Sequence, residues 1–165
     1  MTRPKRTDDD VIAQAAERLA DELMRWADAT ENRAGYVEDA KKVIEKCTYH
    51  NSYELAKDLE FKGYTPDTEL VEILEGASLH LYASHQKAVA AWVQAGGITA
   101  PVVCIGDMVS FERQGKRISG EITRIEEQTA QVIVCCPDLG HVREGLGTHG
   151  IYACYEELQI ITKKG

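Results

Sequence analysis

Residues 106–125, Gly106-Asp-Met-Val-Ser-Phe-Glu-Arg-Gln-Gly115-Lys-Arg-Ile-Ser-Gly120-Glu-Ile-Thr-Arg-Ile125, carry the pattern that decides the fold. Apolar and β-branched residues alternate with polar ones on either side of Arg113-Gln114-Gly115-Lys116, which is the grammar of a β-hairpin closed by a glycine turn. Reading onward, a turn at Glu126-Glu127-Gln128 leads into Ala130 to Cys136, where Val132 and Val134 alternate with Gln131 and Ile133, so one or both faces of a third strand are buried. Pro137 closes that strand. Asp138 to Gly150 has no period and reads as a long loop; Ile151 to Ala153 resumes a strand, Tyr155-Glu-Glu-Leu158 forms one helical turn, and Gln159 to Thr162 forms a last strand.

Reading backward, the character changes at Gly96-Gly97, before which apolar residues recur at intervals of three and four. Thr7 is positioned to cap a helix opened by Asp8, Asp9 and Asp10, with Ile12, Ala16, Leu19, Leu23 and Trp26 along one face. After Thr30-Glu31-Asn32 a second stripe follows through Tyr36, Val37, Ala40, Val43, Ile44 and Cys47. Asn51 with Glu54 makes a capping box for a short helix that stops at Lys62-Gly63. Thr65-Pro66 predicts the start of a fourth and longest helix, running to about Ala95 with Gly76 its one weak interior point. The expected architecture is therefore α+β: a bundle of about four helices over residues 1–97, then a small five-stranded β domain over 98–165.

The order of these features, Gly106-Asp-x-Val109-x-Phe111, then Gly120-Glu-Ile122-x-x-Ile125, then Val132 to Cys136, a long loop, a short strand, Tyr155-Glu-Glu-Leu158 and a final strand, resembles a small SH3-like barrel of the KOW or Tudor type. The resemblance covers about 60 residues. It implies a module that binds peptide or nucleic acid, with Phe111, Tyr152 and Tyr155 as the candidates for its aromatic groove. The helical stretch Tyr53 to Trp92 resembles small proteins of bacteriophages and other mobile elements.

Charge constrains the partners. Nineteen Lys and Arg stand against 27 Asp and Glu, a formal charge of −8, and both halves are acidic: 12 against 18 in residues 1–99 and 7 against 9 in 100–165. Such a surface repels phosphate backbones and anionic membranes unless its basic residues segregate. No apolar stretch reaches the roughly 20 residues of a membrane span, and the start runs from Arg3-Pro-Lys-Arg6 directly into acids. The five cysteines, Cys47, Cys104, Cys135, Cys136 and Cys154, are odd in number and unpatterned, so a reduced, cytoplasmic setting is expected.

Candidate chemistry is sparse. Cys47-Thr-Tyr-His50 has zinc-like spacing, but His80 and His85 fall about 140° apart on one helix and cannot share an ion, while Cys47 continues an apolar stripe. Cys135 and Cys136, with His141, His149 and Cys154 around the glycine-rich loop, are the constellation for a zinc protein or a thiol nucleophile. Adjacent strand cysteines point to opposite faces, so at most one of the pair is expected in the core. Gly145-Leu-Gly147-Thr-His-Gly150 lacks the GxxxxGK[ST] pattern and a following helix. A helix-turn-helix reading of Leu55 to Leu74 fails on charge, because its reading helix carries only acids.

No catalytic residue, metal or cofactor is expected. The feature that stands is acidic helical surface, above all Asp67, Glu69, Glu72 and Glu75, facing a protein partner of basic surface. The expected function is non-enzymatic: a protein-interaction protein, in its concrete form a mobile-element inhibitor of a basic, nucleic-acid-handling host complex. The alternative is a nucleic-acid-binding barrel using Arg113, Lys116, Arg117 and Arg124; a Cys/His zinc protein or enzyme is the second alternative.

Overall fold

A computed structural model describes residues 2–98, 103–139, 143–144, 147–148 and 150–163. Two compact units emerge, Arg3–Ala88 and Val89–Gly165. The division falls inside a helix because Val89 and Trp92 belong to the core cluster of the sheet, so the residues just before Gly96-Gly97 share a core with the second unit.

In the first unit, α1 (Asp9–Trp26) buries Val11, Ile12, Ala15, Ala16, Leu19, Ala20 and Leu23 along one stripe. Its N-cap is Asp8 and not Thr7; the Asp8 carboxylate accepts the Lys5 backbone N–H at 2.9 Å while its carbonyl accepts from Val11 and Ile12. Helix α2 (Arg33–Lys46) contributes Ala40, Val43 and Ile44 to the same core. Helix α3 (Ser52–Glu60) opens with the capping box: Asn51 accepts the Glu54 N–H at 3.0 Å and Glu54 accepts the Asn51 N–H at 2.9 Å.

The single long helix expected from Thr65-Pro66 to Ala95 is instead two, α4 (Thr68–Glu75) and α5 (Ala77–Gln94). Asp67 wins the capping position by accepting the Leu70 N–H at 2.8 Å, leaving Pro66 outside the helix. Gly76 ends α4, its N–H donating to Ile73 O, and its carbonyl then accepts from Leu79 and His80 as α5 begins. The N-terminal basic stretch lies against α5: the Pro4 carbonyl is 3.0 Å from His85 Nε2, and Arg6 stacks over Tyr82 at 5.4 Å. Burial, with Arg6 and Arg3 nearby, holds the His85 imidazole below its ordinary range.

In the second unit, β1 (Met108–Arg113) and β2 (Lys116–Glu126) pair through Arg113↔Lys116 across Gln114-Gly115. Both turn residues have positive φ, 53° and 71°, the two-residue geometry whose twist matches the strands and which glycine accepts without strain. Strand β3 (Gln131–Cys135) pairs with β2 and with β6 (Ile151–Cys154), while β7 (Gln159–Thr162) pairs with β1. The five-stranded antiparallel order is β6-β3-β2-β1-β7, and Tyr155–Glu157 makes the 3-10 turn before the last strand. Among the described residues β6 and β7 share no ladder, so the sheet is open between them. Inside the span read as a loop, β4 (Arg143–Glu144) and β5 (Gly147–Thr148) pair as a small ladder of their own.

The sheet's core holds Val109, Phe111, Ile122, Val132, Val134, Ala153 and Tyr155. Phe111 and Tyr155, expected in an aromatic groove, are therefore spent on packing, and only Tyr152 of that trio is exposed. Both Cys135 and Cys136 are buried, against the expectation that one would be accessible, because β3 is an interior strand whose two faces are covered.

Candidate functional site

The acids singled out in the sequence do not behave as one set. Asp67 Oδ1 is engaged twice, capping α4 through Leu70 N–H and accepting the Trp26 indole N–H at 3.0 Å. Glu75 turns toward α3, where Ser52 Oγ donates to it at 3.4 Å. Glu69 and Glu72, three residues apart and so on one helix face, stay exposed. They line an open groove of about 430 Å³ with Glu22, Arg25, Trp26 and Ile73.

That groove shares Trp26 and Glu69 with a larger cleft of about 660 Å³, whose lining includes Tyr36, Asp39, Lys62, Tyr64 and Asp67. Together they form one trough on the helical unit, with Glu22, Asp39, Asp67, Glu69 and Glu72 against Arg25 and Lys62. Glu22 is partly compensated by His80 Nε2 at 3.1 Å and by Arg25 at 4.0 Å. Three rings meet at the larger end. Trp26 and Tyr64 stack at 6.1 Å between centroids, and Tyr36 stands edge-on to Tyr64 at 5.9 Å and 86°. Tyr64 donates its O–H to Asp39 Oδ2 at 3.3 Å; burial, then the Asp39 carboxylate, push its phenol well up, so it stays a donor.

Sequence reading missed this aromatic corner. Trp26 and Tyr36 registered only as members of apolar stripes, and the three rings come from the end of α1, the start of α2 and the α3–α4 connection. Trp26 is the last residue of α1 and packs, partly buried, against the bundle core.

The basic residues of the hairpin are divided between faces. Register puts Arg113 and Lys116 on the side that carries Phe111 and Ile118, whereas Arg117 and Arg124 lie on the other. Arg117 donates to the buried Ser110 hydroxyl through Nε at 3.2 Å and through one terminal nitrogen at 3.0 Å, and also reaches Gln159. Arg124 lies 3.4 Å from Glu126. Arg113, Lys116 and Arg117 all line a groove of about 550 Å³ with Ile118, Asp138, Leu139 and Ile151, and Arg124 is not part of it.

Of the thiol constellation, His141 and His149 lie outside the described residues. Burial pushes the Cys136 thiol up, and its Sγ donates to Val134 O at 3.6 Å, which makes it a poor nucleophile. Cys47 is likewise raised by burial, its Sγ donating to Ile44 O at 3.1 Å; Cys104 is the exposed cysteine. His80 faces Glu22 and His85 faces Pro4, so neither is turned toward Cys47. Among the described residues, no group of three His, Cys, Asp or Glu side chains stands together as a metal site would, and no helix is long and apolar enough to cross a membrane.

No protein-family model, curated protein or solved structure matches the chain.

Proposed function

We propose that the chain is a non-enzymatic protein-interaction protein that docks its acidic trough on the basic surface of a partner protein. The observation that carries this reading is the convergence of Glu69 and Glu72 with Glu22, Asp39 and Asp67 along two adjoining open clefts that share Trp26 and Glu69. Carboxylates on an open face speed encounter with a basic partner and set its register, while the rings supply desolvated contact area.

In its more specific form, the chain acts in the cytoplasm of a host cell as an inhibitor from a mobile element. Its carboxylates would occupy the cationic surface on which a nucleic-acid-handling complex otherwise receives phosphates. The nucleic-acid reading is weaker, because Arg117 is engaged by Ser110 and Gln159 and Arg124 is paired with Glu126. A thiol or zinc enzyme has less support still, since Cys135 and Cys136 are both buried.

Affinity capture from lysate at low and moderate salt tests the proposal. Glu69→Lys with Glu72→Lys is expected to reduce capture of the partner about tenfold or more. The same charge change at Glu45 and Glu60, exposed on α2 and α3, should leave capture within about twofold, as rim charges remote from an interface do. Equal loss in both variants, or loss in neither, would remove the trough from the interface. Retention of DNA or RNA with a steep salt dependence would favour the hairpin instead.

A further inference from the structure

We infer that the aromatic end of the trough is a receptor for one arginine side chain of the partner, an inference that rests on the proposed docking role and gives it a chemical specificity. Three features of the cleft converge on a guanidinium.

The first is ring geometry. Trp26 and Tyr64 lie nearly parallel, at 15°, and Tyr36 stands almost perpendicular to Tyr64, so the rings form a corner that offers both a face and an edge. All three are half-buried and line the same cleft. A cation over such faces is held by the ring quadrupoles, and a planar guanidinium can also stack.

The second is that the corner is already built. The polar ends of two rings are fixed to carboxylates, Trp26 Nε1 to Asp67 and Tyr64 Oη to Asp39, and Asp67 is itself locked in place as the α4 cap. Binding therefore needs little ordering of side chains, whose immobilisation otherwise subtracts from affinity.

The third is the set of acceptors. Each fixing carboxylate uses one oxygen, so Asp39 Oδ1 and Asp67 Oδ2 carry no hydrogen bond among the described residues, and Glu69 adds an exposed carboxylate at the rim. The five N–H donors of arginine can engage them while the plane lies against a ring. A quaternary ammonium would leave these acceptors unpaired, and a lysine would bring a point charge without a plane. Lys62 sits in the same cleft, but Asp39, Asp67 and Glu69 outnumber it.

The test uses the full chain with Trp92→Phe, which leaves Trp26 as its single indole. It is titrated with a short neutral peptide containing two arginines, then with the lysine and citrulline versions. Expected are a saturable change in Trp26 emission with the arginine peptide, a midpoint at least ~5-fold higher for lysine, and no change for citrulline. Tyr36→Leu should raise the arginine midpoint about tenfold and Tyr36→Phe should restore it; Glu69→Gln should raise it several-fold. Far-UV dichroism confirms that each variant keeps its helices.

Equal midpoints for arginine and lysine, or an arginine midpoint untouched by Tyr36→Leu, would reduce the effect to diffuse charge attraction and overturn the assignment. A flat arginine titration overturns it as well. If capture remains sensitive to reversal at Glu69 and Glu72 in that case, the docking role survives without the arginine receptor. Arginine binding alongside capture that ignores the reversal would instead sink the docking role.

Discussion

Leu23→Ala is expected to destabilise the helical unit by about 2–5 kcal/mol, the range for emptying a fully enclosed leucine site. Leu23 has no solvent exposure and sits three residues before Trp26, in the core where α1 packs with α2 and α4. Its removal leaves a cavity that the surrounding Ala-rich stripe of α1, Ala15, Ala16 and Ala20, is too short to fill. Leu23→Met, which keeps the volume, should cost less than about 1.5 kcal/mol. Urea unfolding followed through Trp26 in the Trp92→Phe background reads the difference, because Trp26 packs against this core. A shift in midpoint as small for alanine as for methionine would mean that Leu23 is not enclosed as described.

The second large effect belongs to the sheet. Gly120 faces Val109 across the hairpin, and a Cβ placed on it would stand 2.2 Å from the Cys135 carbonyl oxygen and 2.8 Å from Val134 Cγ1. The obstacle is mostly backbone of the neighbouring strand, which cannot swing aside as a flexible side chain would. Gly120→Ala is therefore expected to cost about 3 kcal/mol or more, a large share of the roughly 5–15 kcal/mol that stabilises a typical domain. The bulge between Ile122 and Arg124 lies beside this contact, so relief by sliding β2 would break the register with β3. Trp92 belongs to the sheet's core cluster and reports the loss, in a background with Trp26→Phe. Gly115→Ala makes a useful contrast: its Cβ meets nothing within 4 Å, and its penalty comes from the positive φ alone. A smaller loss for Gly120→Ala than for Gly115→Ala would show that β2 and β3 do not approach so closely.

Much of the fold was legible because its signals are local. The two-residue turn at Gln114-Gly115, the capping box at Asn51 and Glu54, and the alternation through Val132 and Val134 each act within a few residues, and the structure reproduces all three. Where two local signals competed, the reading went astray. Thr65-Pro66 reads as a helix start, but the cap goes to Asp67, whose carboxylate also accepts the distant Trp26 indole. Gly76 was a weak point in a strong pattern; lacking a side chain and sitting between Glu75 and Ala77, it became the junction of two helices.

The site was only half visible for a different reason. Charge along one helix can be read directly, so Glu69 and Glu72 stand out as exposed acids, but the fate of Asp67 and Glu75 depends on partners 41 and 23 residues away in Trp26 and Ser52. The aromatic corner has no local pattern at all, since Trp26, Tyr36 and Tyr64 meet only after α1, α2 and the α3–α4 connection have packed. Arg113, Lys116, Arg117 and Arg124 are near in sequence, and three of them do line one groove; Arg124, beyond the bulge that follows Ile122, pairs with Glu126 instead. The buried pair Cys135 and Cys136 followed from the same blindness, because period two assigns opposite faces but not whether both are covered.

The central claim is that the trough carboxylates touch a partner's basic groups. Zero-length carbodiimide coupling tests it, since that chemistry joins a carboxylate to a lysine amine only when the two are in contact. The chain is treated in lysate and the coupled peptides are identified by mass spectrometry. Cross-links concentrated at Glu69 and Glu72, and abolished when these two are changed to glutamine, are the predicted result. Cross-links spread over exposed acids such as Glu45, Glu60 and Glu127 with no enrichment in the trough would contradict it.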